Sequence, residues 1–257
     1  MSETPAASTL HGRVAFISGA GHGIGRATAR AMAALGATVG VNDLKPEFVD
    51  ATVAEIRAAG GQAIGIAQDV STREGMHAAV QRLAREAGRL DVLVNNAAWV
   101  RYQPLPEITP EVMDRMVEIG FKSVVWGMQA AAEAMDPERG GAIVNVASIA
   151  GFKSAMRSVV YSGLKAGVLG LTRAGAADLG ARRIRVNAVA PGAVPTEGTA
   201  KHRNAELDAR RIARTPLGRL GTVEDIADAI CFLASDAARF VNAETIRLDG
   251  GASETSL

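Results

Sequence analysis

The sequence predicts a doubly wound α/β sandwich, a parallel sheet of about seven strands with helices on both faces. Three observations predict it. Short β-branched and apolar runs alternate with helical stretches of more than about ten residues, so successive strands need helical crossovers and run parallel. The turn after the first such run is built largely of glycine. The apolar runs are interrupted, and none approaches the roughly 20 residues that a bilayer span needs.

The elements follow in order. Arg13–Ser18 is a strand, and the alanine-rich Gly23–Leu35 has helical composition. Thr38–Asp43 is a second strand and Pro46–Ala59 a helix with proline in its first turn. The Gly60–Gly61 break precedes a third strand, Gln62–Gln68. Ser71 and Glu74 have capping-box spacing before Met76–Ala87, since each side chain can satisfy a free amide of the first turn. Val92–Asn95 is the fourth strand; Thr109 caps and Pro110 opens a long helix running to about Ala134. Ala142–Ala147 is the fifth strand, Arg157–Leu179 a helix and Arg185–Val189 the sixth strand. Thr222 with Asp225 opens a helix leading to the last strand, Thr245–Leu248. No internal repeat or low-complexity linker interrupts this alternation.

The 257 residues are 48% hydrophobic, enough for one substantial core, and we expect a single domain over residues 11–257 behind a flexible tail, residues 1–10. The Ser/Thr/Ala-rich start lacks the basic and apolar regions of a secretory signal, which makes a cytoplasmic location the expectation and a membrane role unexpected. The net charge of +1 lacks the footprint of a nucleic-acid binder, and Arg182, Arg183 and Arg185 read as a solvated helix end. Cys231, the single cysteine, lies in an apolar helical pattern and reads as a buried structural thiol. His11, His22, His77 and His202 show no metal-ligand spacing, so no metal site is expected. Residues 191–216 follow a strand's carboxyl end without clear periodicity, where open α/β sheets place their ligands, and read as a lid over a substrate.

The turn Gly19-Ala20-Gly21-His22-Gly23-Ile24-Gly25 joins the first strand to the first helix, offering backbone amides and a positive helix end to a pyrophosphate. Asp43 ends the second strand 18 residues beyond Gly25, close to the spacing of about 20 at which a carboxylate binds adenine-ribose hydroxyls. Such a carboxylate repels a 2′-phosphate, which favours NAD. Asp43 also reads as a polar cap before the turn at Leu44-Lys45-Pro46, and Lys45 would favour NADP.

Tyr161 and Lys165, four apart on a helix, share one face, and an ammonium near a phenol lowers its pKa from about 10. Such a phenol exchanges protons as a general acid or base. Ser148 lies just past the fifth strand's carboxyl end, where a hydroxyl can polarise a carbonyl. With Asp69-Val70, Asn95-Asn96-Ala97 and Pro191-Gly192, and with 13 residues from Ser148 to Tyr161, the chain from about Gly12 to Gly251 resembles the short-chain dehydrogenase/reductase family. The resemblance implies that Tyr161 is the general acid/base, Ser148 holds the substrate oxygen, and Lys165 tunes Tyr161 and binds the nicotinamide ribose. It further implies that Asp69 and Val70 flank the adenine, that Asn96 lines the nicotinamide side, and that Val194 and Thr196, after Pro191-Gly192, hold the carboxamide. It also implies a homotetramer pairing the helices Thr109–Ala134 and Arg157–Leu179.

Three positions depart from the family pattern. His22 stands where a small polar residue is usual, and Ala98 replaces the glycine after Asn95-Asn96-Ala97, narrowing the pocket. Ile119-Gly120-Phe121 replaces Val-Asn-Leu, so the catalytic asparagine is missing. That asparagine acts through its main-chain carbonyl, which holds a proton-relaying water, and Gly120 keeps a carbonyl while tolerating irregular helix. The expected function is therefore NAD-dependent hydride transfer between nicotinamide and a small-molecule secondary alcohol or ketone. A non-catalytic NAD-binding sensor and a dehydratase or epimerase on the same fold are the alternatives. Trp99, Tyr102, Ile149, Phe152, Met156 and Ala193 are the pocket candidates, an apolar set suited to a cyclic or aromatic alcohol. Arg101 and Lys153 read either as a grip for an acid or as solvated loop charges.

Overall fold

The computed structural model describes residues 9–198 and 204–255. Its seven strands are β1 (Val14–Ile17), β2 (Thr38–Asp43), β3 (Gln62–Ala67), β4 (Val92–Asn95), β5 (Gly141–Val146), β6 (Ile184–Pro191) and β7 (Thr245–Leu248). All pair in parallel, in the order β3-β2-β1-β4-β5-β6-β7. Between them run the helices α1 (Gly23–Ala34), α2 (Pro46–Ala58), α3 (Arg73–Ala87), α4 (Pro110–Val117), α5 (Ser123–Ala134), α6 (Val159–Leu179), α7 (Ala205–Ala213) and α8 (Val223–Ala234). This is the Rossmann-type architecture expected.

The alternation of side chains along a strand divides the core in two. From β1, Ala15 and Ile17 enter a layer with Met32 of α1, Val53 of α2 and Ile226 and Ile230 of α8. Val14 and Phe16 enter the opposite layer with Met76, Val80 and Leu83 of α3 and Ala130 and Ala131 of α5. Covered on both faces, β1 is buried at every position, which is why it reads as one apolar run rather than an alternating one. The chain crosses from β3 to β4 on the other side of β1, so the strand order reverses between β1 and β4. The loops leaving those two strands diverge there and open the crevice in which such sheets bind ligands.

Several local expectations need correction. Leu10 is only 1% exposed and its amide donates to the Leu35 carbonyl at 2.9 Å, so it belongs to the core and not to a tail; residues 1–8 lie outside the described residues. The cap of α3 is Thr72, whose hydroxyl accepts from the Gly75 amide at 3.1 Å, while Ser71 donates its amide to Asp69. The long helix from Pro110 is broken by a π-helical turn, Glu118–Lys122. Residues 191–216 are not structureless: Pro191 completes β6, and α7 is amphipathic, capped by Asn204, while residues 199–203, with His202, lie outside the described residues. The arginines after α6 are not merely solvated. Arg183 donates to the Glu138 carbonyl, and Arg185 to the carbonyls of Ser235 and Val241. The capping box of Thr222 and Asp225 forms as expected. Among the described residues, no helix is long and apolar enough to cross a membrane.

Candidate active site

The glycine turn sits at the carboxyl end of β1, and its geometry explains its composition. Gly19 has φ +64, in the left-handed region that favours glycine. A Cβ on Gly25 would overlap the Gly19 carbonyl oxygen, and one on Gly21 would come within 2.6 Å of Phe48 Cβ and 2.7 Å of Asp43 Oδ2. The cradle is therefore bare backbone leading into the amino terminus of α1, which suits a diphosphate. Asn96 bolts it to the neighbouring strand: its side-chain amide donates to the carbonyls of Ser18 (2.9 Å) and Gly19 (3.0 Å). Ser18 Oγ in turn accepts the amides of Asn96 and Ala97, each at 3.0 Å.

Asp43, at the end of β2, accepts the Gly21 amide at 3.2 Å and lies 3.7 Å from His22 Nδ1. Burial pulls its carboxyl upward, yet the neighbouring His22 and the Lys45 and Gly21 amides leave it below the usual range. The His22 imidazole is raised above 6.5, first by the Asp43 carboxylate beside it and against partial burial. His22, Lys45 and Phe48 form one cluster: the His22 and Phe48 rings are 5.7 Å apart, and Lys45 Nζ lies 5.1 Å from the Phe48 centroid. Val70, on the approach to α3, is buried, and Asp69 accepts the Ser71 amide.

The segment after β6 lies against the same turn. Gly192 is packed against Asp249, Val194 against Gly221, and the Thr196 methyl would stand 3.3 Å from a Cβ on Gly23. Glu197, which sequence reasoning passed over, accepts the Gly23 amide at 3.1 Å and pairs with Arg26. These partners lie more than 170 residues apart, so no local pattern announces the contact.

Ser148, Tyr161 and Lys165 converge beyond the carboxyl ends of β5 and β4. Ser148 caps a short 3-10 turn, Ile149–Gly151, accepting the Ala150 amide at 3.1 Å. A Cβ on Gly151 would approach the Lys165 main-chain carbonyl to 2.9 Å, so glycine there lets the turn lie on α6. The Ser148 hydroxyl lies near enough to that of Tyr161 to act downward on its pKa. The net shift is nevertheless not downward, contrary to expectation: burial, reinforced by the nearby Tyr102 hydroxyl, pushes the Tyr161 pKa up to about 12 against the pull of Ser148. Lys165 does not offset this, because its buried ammonium donates to the Val146 carbonyl at 2.6 Å and stands 5.9 Å from the Tyr161 ring centroid. Burial pushes the Lys165 amine down to about 8.

Gly120 is buried within the π-turn. A Cβ there would meet only Leu164 Cδ1, at 3.5 Å, which places Gly120 beside the α6 turn that carries Lys165. The Ser123 hydroxyl donates to the Ile119 carbonyl at 2.6 Å, and Asn95 reaches the Val124 carbonyl at 3.4 Å and Asn145 at 2.9 Å. These bonds hold the irregular helix to β4 and β5. Among the pocket candidates, Tyr102 stacks edge-on against Tyr161, Phe152 lies under the Arg247 guanidinium (4.9 Å) and Trp99 under that of Arg115 (4.5 Å). Met156 is 90% exposed and stands outside this cluster. Among the described residues, no group of three or more His, Cys, Asp or Glu side chains is placed to hold a metal ion.

The chain is similar to known proteins over nearly its whole length. The family profile described as enoyl-(acyl carrier protein) reductase matches residues 19–253. A cis-4-hydroxycyclohexanecarboxylate dehydrogenase from Sinomonas cyclohexanicum is 42% identical over 240 residues, 93% of this chain and 96% of the relative. A 3-oxoacyl-(acyl-carrier-protein) reductase from Thermotoga maritima is 38% identical over 242 residues, 94% of this chain and 98% of the relative. A solved 7α-hydroxysteroid dehydrogenase, complexed with NADH and 7-oxo glycochenodeoxycholic acid, superposes with a TM-score of 0.94 at 32% identity, covering 99% of each chain. The chain therefore belongs to the short-chain dehydrogenase/reductase family of oxidoreductases, which use nicotinamide cofactors.

Proposed function

We propose that the protein is an NAD-dependent dehydrogenase or reductase acting between a secondary alcohol and its ketone. The observation that carries the proposal is the convergence of Ser148, Tyr161 and Lys165 on one sheet edge, with the Ser148 hydroxyl near enough to Tyr161 to act on its pKa. When bound, the nicotinamide supplies or accepts hydride. In reduction Tyr161 gives its proton to the carbonyl oxygen, and in oxidation it takes that proton back from the alcohol. The Ser148 hydroxyl stabilises the negative charge that develops on the same oxygen. Lys165 binds the ribose and, with the Gly120 carbonyl, passes protons to and from Tyr161. The turn from Gly19 to Gly25 takes the diphosphate, Asp43 the adenine ribose, Asp69 and Val70 the adenine side, and Asn96, Pro191, Gly192, Val194 and Thr196 the nicotinamide side.

NAD is favoured because the Asp43 carboxylate, ionised and fixed at the end of β2, repels a 2′-phosphate. A cyclic alcohol bearing an acid group fits the mouth best. Tyr102 and Phe152 supply apolar surface, and the loops that carry them also carry the exposed Arg101, Lys153 and Arg157. The relative named for a hydroxycyclohexane carboxylate supports the same class. A cytoplasmic homotetramer through the α4–α5 and α6 surfaces belongs to this reading; Met113 and Val159, exposed on α4 and α6, support it.

The test is nicotinamide absorbance with NAD or NADP across cyclic, aromatic and acidic secondary alcohols, on the wild type and Tyr161→Phe. Turnover with NAD that falls at least about 100-fold in Tyr161→Phe is the expected result. Cofactor binding without turnover on any alcohol or ketone would overturn it.

A further inference from the structure

Glu197 places a carboxylate where an anion of a different kind belongs. Gly23 is the first residue of α1, and its amide points out of the helix end at Glu197 Oε2, 3.1 Å away. The other carboxylate oxygen pairs with Arg26, one helical turn further along α1. The carboxylate therefore bridges a helix-terminal amide and a guanidinium, the two donors that a phosphate oxygen would choose. A cavity of about 290 Å³ opens at this point, and Gly23, Arg26, Arg30, Thr196 and Glu197 all line it.

We propose that Glu197 competes for the diphosphate seat of the cofactor, and that Arg26 is a further diphosphate ligand that Glu197 holds until the cofactor displaces it. The inference rests on nucleotide binding at the glycine turn, the reading given above. Glu197 and a diphosphate cannot share the Gly23 amide, because both are anionic and need the same donor. Displacement is feasible: the Glu197 side chain is 55% exposed, so its carboxylate has water to turn into. Arg26 has less freedom, being about one-third exposed and held 3.9 Å from Glu55 on α2. The competitor is ionised throughout the working range. A backbone hydrogen bond of its own, then Arg26, Gly23 and His22, hold its carboxyl below the usual value against partial burial.

Equilibrium binding tests this directly, by fluorescence titration of NADH, ADP and adenosine into wild type, Glu197→Gln, Arg26→Gln and the double variant. Glu197→Gln is expected to bind NADH and ADP about 3- to 10-fold more tightly, the range two partly exposed charge-assisted contacts allow, and adenosine with unchanged affinity. Arg26→Gln is expected to bind NADH and ADP more weakly, and to shrink the gain from Glu197→Gln in the double variant. Thermal unfolding of each variant checks that the fold is intact. Unchanged or weaker NADH binding in a folded Glu197→Gln would overturn the inference alone. Failure of the wild type to bind NADH or NADPH at all would overturn the cofactor reading, and this inference with it.

Discussion

Tyr102 meets Tyr161 edge-on, the ring centroids 5.7 Å apart and the planes inclined at 72°. Burial first, and the second phenol after it, keep Tyr161 protonated up to about pH 12, with Ser148 alone opposing them. Reduction needs the protonated form and oxidation the phenolate. Reduction is therefore expected to hold its rate into the alkaline range, while oxidation climbs with pH. Tyr102→Leu should move the oxidative limb to lower pH, and Ser148→Ala should move it higher while slowing turnover about 100-fold. The pH dependence of kcat in both directions checks this; an oxidative limb unmoved in Tyr102→Leu would separate the two rings functionally.

On the resemblance to its family, Gly120 takes the place of an asparagine, and it lies inside a π-turn of the kind often found at functional sites. Its backbone carbonyl survives any substitution other than one that refolds the turn, and its Cβ position is open except for Leu164 at 3.5 Å. Gly120→Ala should therefore leave turnover within a few-fold and change stability by no more than about 1 kcal/mol, in the stabilising direction expected for alanine over glycine in a helix. Gly120→Asn should behave alike in steady-state kinetics. A rise of orders of magnitude in Gly120→Asn, with the fold unchanged by circular dichroism, would show that the carbonyl is not sufficient.

The sheet was legible because its central strands β1 and β4 are apolar and buried on both faces and each turn carries its own chemistry; β4, β7 and the Thr222 capping box match their expected positions residue for residue. Where local signals compete, the reading slipped. Ser71 and Thr72 are both good caps, and only the packing of Gly75 against Asp69 selects Thr72. The π-turn was invisible to periodicity, since one extra residue in a helical turn shifts the pattern by less than a short window resolves. The site residues were legible by type and spacing, but their electrostatics were not. That Lys165 bonds Val146, or that Glu197 reaches Gly23, depends on contacts across the fold.

On the proposed role of Asp43 in cofactor selection, Asp43 and His22 are expected to make cofactor choice depend on pH. The pair lies 3.7 Å apart, and the raised imidazole pKa means that His22 is protonated below a value above 6.5. By the linkage rule, a raised folded pKa gives a stabilising contribution fully present below the unfolded value and lost as pH rises through the folded one. The same protonation screens the Asp43 charge that repels a 2′-phosphate. The NAD-to-NADP ratio of kcat/KM should therefore fall as pH drops through the His22 titration. It should be flat in His22→Gln and about 10-fold or more lower in Asp43→Asn at neutral pH. A ratio independent of pH in the wild type would sink this coupling.

Lys165 should leave a signature in stability as well as in catalysis. Its amine is buried, donates to the Val146 carbonyl, and titrates at about 8 rather than 10.5. Between those values the unfolded chain still holds the proton and the folded chain has released it, so this group makes stability rise with pH. Other buried groups act the opposite way in the same range: Cys231, raised to about 12 from 9, and Tyr161, raised to about 12 from 10, stay protonated in the folded chain after the unfolded chain has ionised. The wild-type profile alone therefore mixes opposing slopes. Subtracting the profile of Lys165→Met removes the shared ones, and the difference should grow in favour of the wild type from about pH 8 to 10.5, by at most about 3 kcal/mol. Urea unfolding of both proteins at closely spaced pH values measures it. A flat difference would mean that the folded chain keeps the Lys165 proton, which places more water or negative charge around the ammonium than the Val146 carbonyl supplies.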